Sequence, residues 1–293
     1  MKTISILGKL AGGAVPESLR ARLPYLAGEA AVLGLVSNAI AFALGLELAG
    51  VVAVFLCSAA LLNRFDELLE ENRRRIYEST MPSGAANRLT VFSVVAIFVG
   101  VLTASVVIAV ASGTDPEAIG KGLPLVHARL LDDTIFSPRF QDFLGIAANN
   151  LAVVACAGVL AFIYRAYGVL LVLCWNAALW GSVLTVLVAR STEQSHLPAP
   201  LFVAGASAAL LPHLILEGAA YVIAGLAALY ASKASFYYTR TDPRFRAVMR
   251  SALHMVLVAL ILVIVGAVVE STYAPLVIRQ LAPPQPMTPS GGL

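Results

Sequence analysis

Apolar residues run almost without interruption through seven stretches of this chain, and that pattern restricts the backbone more than any motif does. The stretches are Glu29–Leu46, Leu48–Leu62, Leu89–Ala111, Phe143–Tyr164, Gly168–Ala189, Leu201–Ser232 and Met249–Val269. Most approach the roughly 20 residues that cross the hydrocarbon of a bilayer. No water pairs the backbone there, so each segment must satisfy its own N–H and C=O groups, which an α-helix does. The 293 residues are 59% hydrophobic and 13% charged, with a mean hydropathy of +0.85. That composition excludes a soluble domain and predicts an all-α, polytopic transmembrane helical bundle of about seven membrane segments.

The first two segments predict a short hairpin. As one straight helix they would measure about 50 Å, too long for a single crossing. Glu47, between Gly45 and Gly50, is the natural turn. Positive charge supports this reading. With seven crossings and the N-terminus cytoplasmic, 15 of the 20 Lys and Arg fall on the cytoplasmic side, the bias the positive-inside rule expects. Merging the two segments loses much of it. The expectation is therefore a multipass protein of the cytoplasmic membrane, N-terminus inside and C-terminus outside.

The remaining pieces divide the chain into residues 1–28, a cytoplasmic amphipathic segment; 29–275, the transmembrane domain; and 276–293, a disordered tail. The first residues hold no apolar core followed by a small-residue cleavage site, so no leader is expected to be removed. Ser18 to Leu26 suits a surface helix. Leu61, Phe65, Leu68, Leu69 and Ile76 repeat at helical spacing, with Glu70–Arg74 and Glu71–Arg75 at i, i+4, so a cytoplasmic helix over 61–79 is predicted. Pro82-Ser83-Gly84 then breaks it. An outer loop spans 112–142.

The polar residues inside the apolar stretches are the candidates for function. His213 and Glu217 lie one helical turn apart, directly after Pro212. Proline removes one backbone hydrogen bond, leaving the Ala208 carbonyl without its donor, and the sixth segment is expected to be broken at Pro212. Ionisable groups at membrane depth are costly and face a protein interior or a wet cavity. The pair reads either as a proton, ion or ligand site or as a polar contact gluing helices together. A zinc protease would need a second histidine, as in H-E-x-x-H, and the chain lacks one here. No catalytic residue and no metal or cofactor site is predicted.

Trp175 and Asn176 sit mid-way along the fifth segment, and a neighbouring helix is the expected partner for the asparagine. Asn149 and Asn150, in the fourth, suit either a helix cap or a bond to the Pro212 region. Asn38 is expected to pair with another helix. His254 reads as an interfacial residue, and Glu270 as the solvated outer end of the last segment. Ala177, Gly181 and Thr185 form one small-residue face, and Ala220, Ala224 and Ala228 another, either of which permits close helix packing within the chain or in a homo-oligomer. Cys57, Cys156 and Cys174 read as buried small residues rather than a disulfide framework. No Walker loop, G-x-G-x-x-G or G-x-S-x-G is present.

Taken in order, several of these residues resemble the stage II sporulation protein M family of integral membrane proteins, and its archaeal and non-sporulating bacterial members most. Ala148-Asn149-Asn150-Leu151 is similar to the family's N-N-x-x-V helix start, and Leu173-Cys174-Trp175-Asn176-Ala177 with Gly181 to its L-T-W-N-A segment. Pro212-His213 through Glu217, with Ile223-Ala224-Gly225, resembles P-H-G-x-x-E and the small-residue stretch after it, Leu214 replacing the glycine. Glu270 to Pro275 resembles E-x-Y-x-T-P. The resemblance spans about residues 20 to 275. It implies an all-helical multipass protein of the cytoplasmic membrane; the member found in spore formers works as a membrane scaffold beside cell-wall-degrading partners, and that sporulation role is not carried over to this chain. The expected function is a non-catalytic scaffold or assembly factor with a buried polar core of His213, Glu217, Asn176, Trp175, Asn149 and Asn150. The alternative is a transporter using a His–Glu site at a broken helix. The expected partners are the lipid bilayer and other membrane or cell-envelope proteins, with no nucleic acid.

Overall fold

A computed structural model describes residues 19–45, 48–78, 81–112, 140–194 and 197–281. They form seven α-helices: α1 Leu19–Ala43, α2 Ala49–Tyr77, α3 Ser83–Ala111, α4 Phe140–Tyr164, α5 Ala166–Gln194, α6 Ala199–Tyr237 and α7 Pro243–Leu281. All seven are long and apolar enough to cross a membrane. The expected polytopic all-helical bundle is what the chain forms. Helices α3, α5 and α6 pack against one another at the centre, with α1 and α2 on one flank and α4 and α7 on the other. Leu253, Leu257, Ile261 and Val268 of α7 point outward, as lipid-facing residues do.

The hairpin is present. Gly45, at φ +62, ends α1 in the left-handed conformation that glycine adopts without a Cβ penalty. Leu46 and Glu47, the predicted turn, lie outside the described residues. Two expectations change at the basic end. Residues from Leu19 are not a separate surface helix: α1 runs unbroken through Pro24, so the boundary expected at residue 29 falls inside one helix. The extension of α2 to Tyr77 is helical as expected, with Glu71–Arg75 paired at 2.5 Å and Glu70–Arg74 at 3.8 Å. Its apolar face is not superficial, however. Leu61, Phe65, Leu68 and Leu69 belong to the main core.

Helix α6 is not broken at Pro212. It runs continuously from Ala199 to Tyr237 with the proline inside. The ring holds φ near −65°, which is helical, so the direct loss is one N–H. Buried Phe202, Ala206 and Ala209 before it, and Ala220 and Tyr221 after it, pin both halves to the bundle. Helix α7 continues through Pro275 to Leu281, past the tail boundary expected at 276. Glu270 is thus internal and half-buried. Residues 1–18, 113–139 and 282–293, which carry most of the N-terminal segment, the outer loop and the tail, lie outside the described residues.

Small residues set the helix spacings. A Cβ on Gly34 of α1 would stand 2.8 Å from Ala104 Cβ of α3, and one on Gly100 of α3 would strike the Ala27 carbonyl and Ala30 of α1. Likewise a Cβ on Gly181 of α5 would stand 2.7 Å from Ser105 Cβ of α3. Gly181, at the centre of the predicted Ala177–Gly181–Thr185 face, therefore makes an intrachain α5–α3 contact.

Candidate polar core of the bundle

The deep polar cluster joins α4 and α6. Glu217 and Asn150 are each 4% exposed. Asn150 donates from Nδ2 to Glu217 Oε1 at 2.5 Å, and its Oδ1 accepts from the Tyr221 hydroxyl at 2.9 Å. Glu217 and Tyr221 are i, i+4 on α6, so one asparagine reads two successive turns of the facing helix. Asn149, exposed on α4, donates to Asn150 Oδ1 at 3.2 Å. The asparagines lie inside α4 rather than at its end, so they are not a helix cap, and Asn150 bonds the side chain of Glu217, five residues after Pro212. One residue faces inward to the glutamate and the other supports it.

Two further helices shape this cluster. Gly266 of α7 lies against the glutamate: a Cβ there would sit 3.2 Å from Glu217 Cγ. Trp180 of α5 stacks edge-on against Phe98 of α3, centroids 5.4 Å apart, and tilts toward Tyr221 at 6.0 Å. Gly218 leaves room for both rings, with Phe98 Cε1 and Trp180 Cζ3 at 3.5 and 3.6 Å from where its Cβ would be. Glu217 lies 13 residues from Tyr230, about 20 Å along α6, well inside the apolar stretch.

His213 is also buried, at 4% exposed. Its Nδ1 makes no hydrogen bond among the described residues. Asn176 is buried, but its Nδ2 bonds the Val172 carbonyl of its own helix at 2.8 Å. The expected cross-helix partner is replaced by an i−4 carbonyl. Asn38 does the same with Gly34. Trp175 is half-buried and packs near Ala109. Trp180, not Trp175, is the tryptophan beside the cluster. Among the described residues no group of three or more His, Cys, Asp or Glu is placed to hold a metal ion.

A second polar layer lies at the end of the bundle where α1 and α3 begin and α2 and α6 finish. Arg22, 2% exposed, donates to both Glu71 carboxylate oxygens (3.0 and 2.5 Å) and to Ser93 Oγ at 2.9 Å, tying α1 to α2 and α3. Arg64 grips Glu29 through two bonds of 2.8 and 2.9 Å and reaches Glu67 at 2.5 Å. Asn72 donates to Asn87 and to the Tyr230 hydroxyl at 3.0 and 2.9 Å. Arg165, which joins α4 to α5, lies 4.3 Å over the Phe236 ring. His254 is exposed and bonded to its own helix at Arg250.

Sequence reasoning located His213, Glu217 and Asn150 but missed Tyr221, Trp180, Phe98 and Gly266. Tyr221 had a signal, continuing the His213–Glu217 face by another four residues. Gly266, a lone glycine in an apolar run, had none.

No curated protein and no solved structure matches this chain. A family model, described as stage II sporulation protein M, matches residues 89–275. That segment begins near the start of α3 and contains Asn150, Trp180, Glu217, Tyr221 and Gly266, while α1 and α2 precede it. With well over half its length matched, the chain belongs to the stage II sporulation protein M family of membrane proteins.

Proposed function

We propose that this protein is a non-catalytic membrane scaffold or assembly factor, and that His213, Glu217, Asn150 and their neighbours brace its helices. The observation that carries this reading is the engagement of Glu217, held at 2.5 Å by Asn150 and covered by Gly266. A carboxylate serving traffic would need to exchange these partners in every cycle. Family membership supports the reading at the level of class. Of the charged residues on α2, Glu70, Arg73 and Arg74 are exposed and offer a surface for envelope partners. The basic end is assigned to the cytoplasm, on the charge bias, which leaves the C-terminus outside the cytoplasmic membrane. The test is in-membrane cross-linking and affinity capture of the full chain, wild-type and with Glu70, Arg73 and Arg74 changed to Ala. A defined envelope-protein complex that is lost in the variant is expected. A monodisperse protein cross-linking to nothing in its native membrane would overturn the reading.

One observation favours transport as a second reading: the buried Nδ1 of His213 has no hydrogen bond among the described residues. Intramembrane ionisable groups often mark ion or proton routes. Proteoliposome flux decides between the two. Proton or ion flux above background that falls in Glu217→Gln and His213→Ala supports transport, and background flux in all three proteins supports the scaffold.

A further inference from the structure

Cys57 on α2 and Cys174 on α5 are 117 residues apart in sequence and meet in the bundle interior. Their Sγ atoms are 4.0 Å apart, and the side chains are 2% and 1% exposed. A cavity of about 40 Å³ opens beside them, lined by both cysteines and by Asn38 of α1, Ser105 of α3 and Ser182 of α5. One water needs roughly 10–15 Å³ of such space and two or more polar neighbours. The amide and the two hydroxyls supply those neighbours, so the cavity suits a small polar molecule of water or peroxide size.

We propose that Cys57 and Cys174 form an oxidisable dithiol, that its oxidant is a small peroxide admitted to this cavity, and that the resulting disulfide fastens α2 to α5. An isolated buried thiol is inert. Here a second sulfur stands ready to resolve the first oxidation product, as the resolving cysteine of a redox-sensing pair does, and the cavity lined by both cysteines supplies the access that such pairs have from solvent. In the first step one sulfur attacks the peroxide: the O–O bond breaks, an S–O bond forms, and the thiol proton leaves with the other oxygen as water. In the second, the other sulfur displaces that hydroxyl: the S–S bond forms, the S–O bond breaks, and hydroxide departs with the second thiol proton as water. Two thiols and one hydrogen peroxide give one disulfide and two waters. The sulfurs lose two electrons and the peroxide oxygens gain them. No charge is left in the apolar layer, where it would be costly, whereas two thiolates around a soft monovalent cation would leave one.

A disulfide requires sulfurs about 2.04 Å apart, so the pair must close by about 2 Å. The two helices are already packed against each other, and side-chain rotation covers much of that distance. The bond would join helices of different standing. Helix α2 belongs to the hairpin that precedes the family segment, and α5 lies inside that segment. Oxidation would therefore fix the hairpin to the family core. The remaining cysteine, Cys156, is exposed on α4 and serves as an internal reference.

The experiment treats membranes containing the full chain with hydrogen peroxide, denatures the protein, alkylates it with N-ethylmaleimide and maps the peptides by mass spectrometry. The chain holds three cysteines. The expected result is loss of two alkylatable thiols, a peptide linking Cys57 to Cys174, and recovery of both with dithiothreitol. In Cys57→Ser the linked peptide disappears. A protease site inserted within 113–139 gives an independent readout: after cleavage the oxidised wild-type fragments stay joined until reductant is added. Full alkylation of Cys57 and Cys174 under conditions that oxidise Cys156 would overturn the proposal, as would a cross-link from either of them to Cys156.

Discussion

Removing the side chain of Asn150 tests the brace most directly. Asn150→Ala deletes the donor 2.5 Å from Glu217 and the acceptor 2.9 Å from Tyr221. Interhelical hydrogen bonds within membranes average about 0.6 kcal/mol and reach about 1.7, and an orphaned buried polar group costs roughly 1–3 kcal/mol. Two bonds lost at a site 4% exposed should therefore cost about 1–3 kcal/mol, and Glu217→Ala a similar amount. Because the residues share one bond, the double variant should cost less than the sum, by about 0.6–1.7 kcal/mol. Reversible unfolding in mixed micelles, titrated with a denaturing detergent, measures all four proteins. Trp180, 6.0 Å from Tyr221, provides a local fluorescence signal. Glu217→Gln keeps an oxygen acceptor for Asn150 and should stay close to wild-type, and Asn149→Ala, which removes a 3.2 Å bond to Asn150, should cost less than Asn150→Ala, about 0.6 kcal/mol. Single-variant costs that add within about 0.3–0.5 kcal/mol would refute the coupling and with it the brace.

Other outcomes follow from the same contacts. Gly100→Val should separate α1 from α3 and destabilise by about 1–3 kcal/mol or more, while Gly145→Ala, with nothing within 4 Å of the new Cβ, should be neutral or stabilising by up to about 1 kcal/mol; the detergent titration compares them. Arg22→Ala leaves Glu71 with Arg75 alone, and Ser93 without its donor. Breaking a buried pair costs about 3–5 kcal/mol, so a smaller loss, about 2–3 kcal/mol, is expected because Glu71 is 35% exposed, read as earlier proteolysis between α1 and α2. In a cysteine-free background, Thr239→Cys should react with an impermeant maleimide only when the cytoplasmic face is open, and Leu197→Cys from the opposite face. Labelling of both from one side would overturn the assigned topology.

The fold was legible because its cause is local: apolar length is written residue by residue, and so are the glycine that ends α1 and the helical run from Leu61 to Ile76. Pro212 misled because a proline's cost is visible in sequence while the packing that absorbs it is not. The cluster was half legible. Polar residues in apolar surroundings announce themselves, so Glu217, His213 and Asn150 stood out. The pairing of Asn150 with Glu217 depends on which helix face meets which, and that is set by glycines such as Gly266 and Gly181 whose neighbours lie on other helices. Asn176 shows the limit. Its side chain had two ways to be satisfied, and only the local bond to Val172 was made.

The two polar layers divide the work of specifying this bundle. In lipid, apolar side chains discriminate poorly between partners, since every helix surface is as apolar as the surrounding tails. Polar contacts and small-residue faces therefore decide which helices pair. The deep layer, Asn150 with Glu217 and Tyr221, selects α4 for α6 and lies wholly within residues 89–275. The layer at the basic end works differently: Arg22, Arg64, Glu71 and Asn72 precede that segment, while Ser93 and Tyr230 lie inside it. The family core thus holds its own helices together through the deep cluster. The hairpin is held to it from outside by charged and amide groups near one membrane face, and by Gly34 and Gly100 below them. Because water reaches the charged layer first, the hairpin should detach from the core before α4 leaves α6. Hydrogen exchange at α1 and α2 amides faster than at α4 and α6 would show that order, and the reverse order would place the stabilising weight in the charged layer instead.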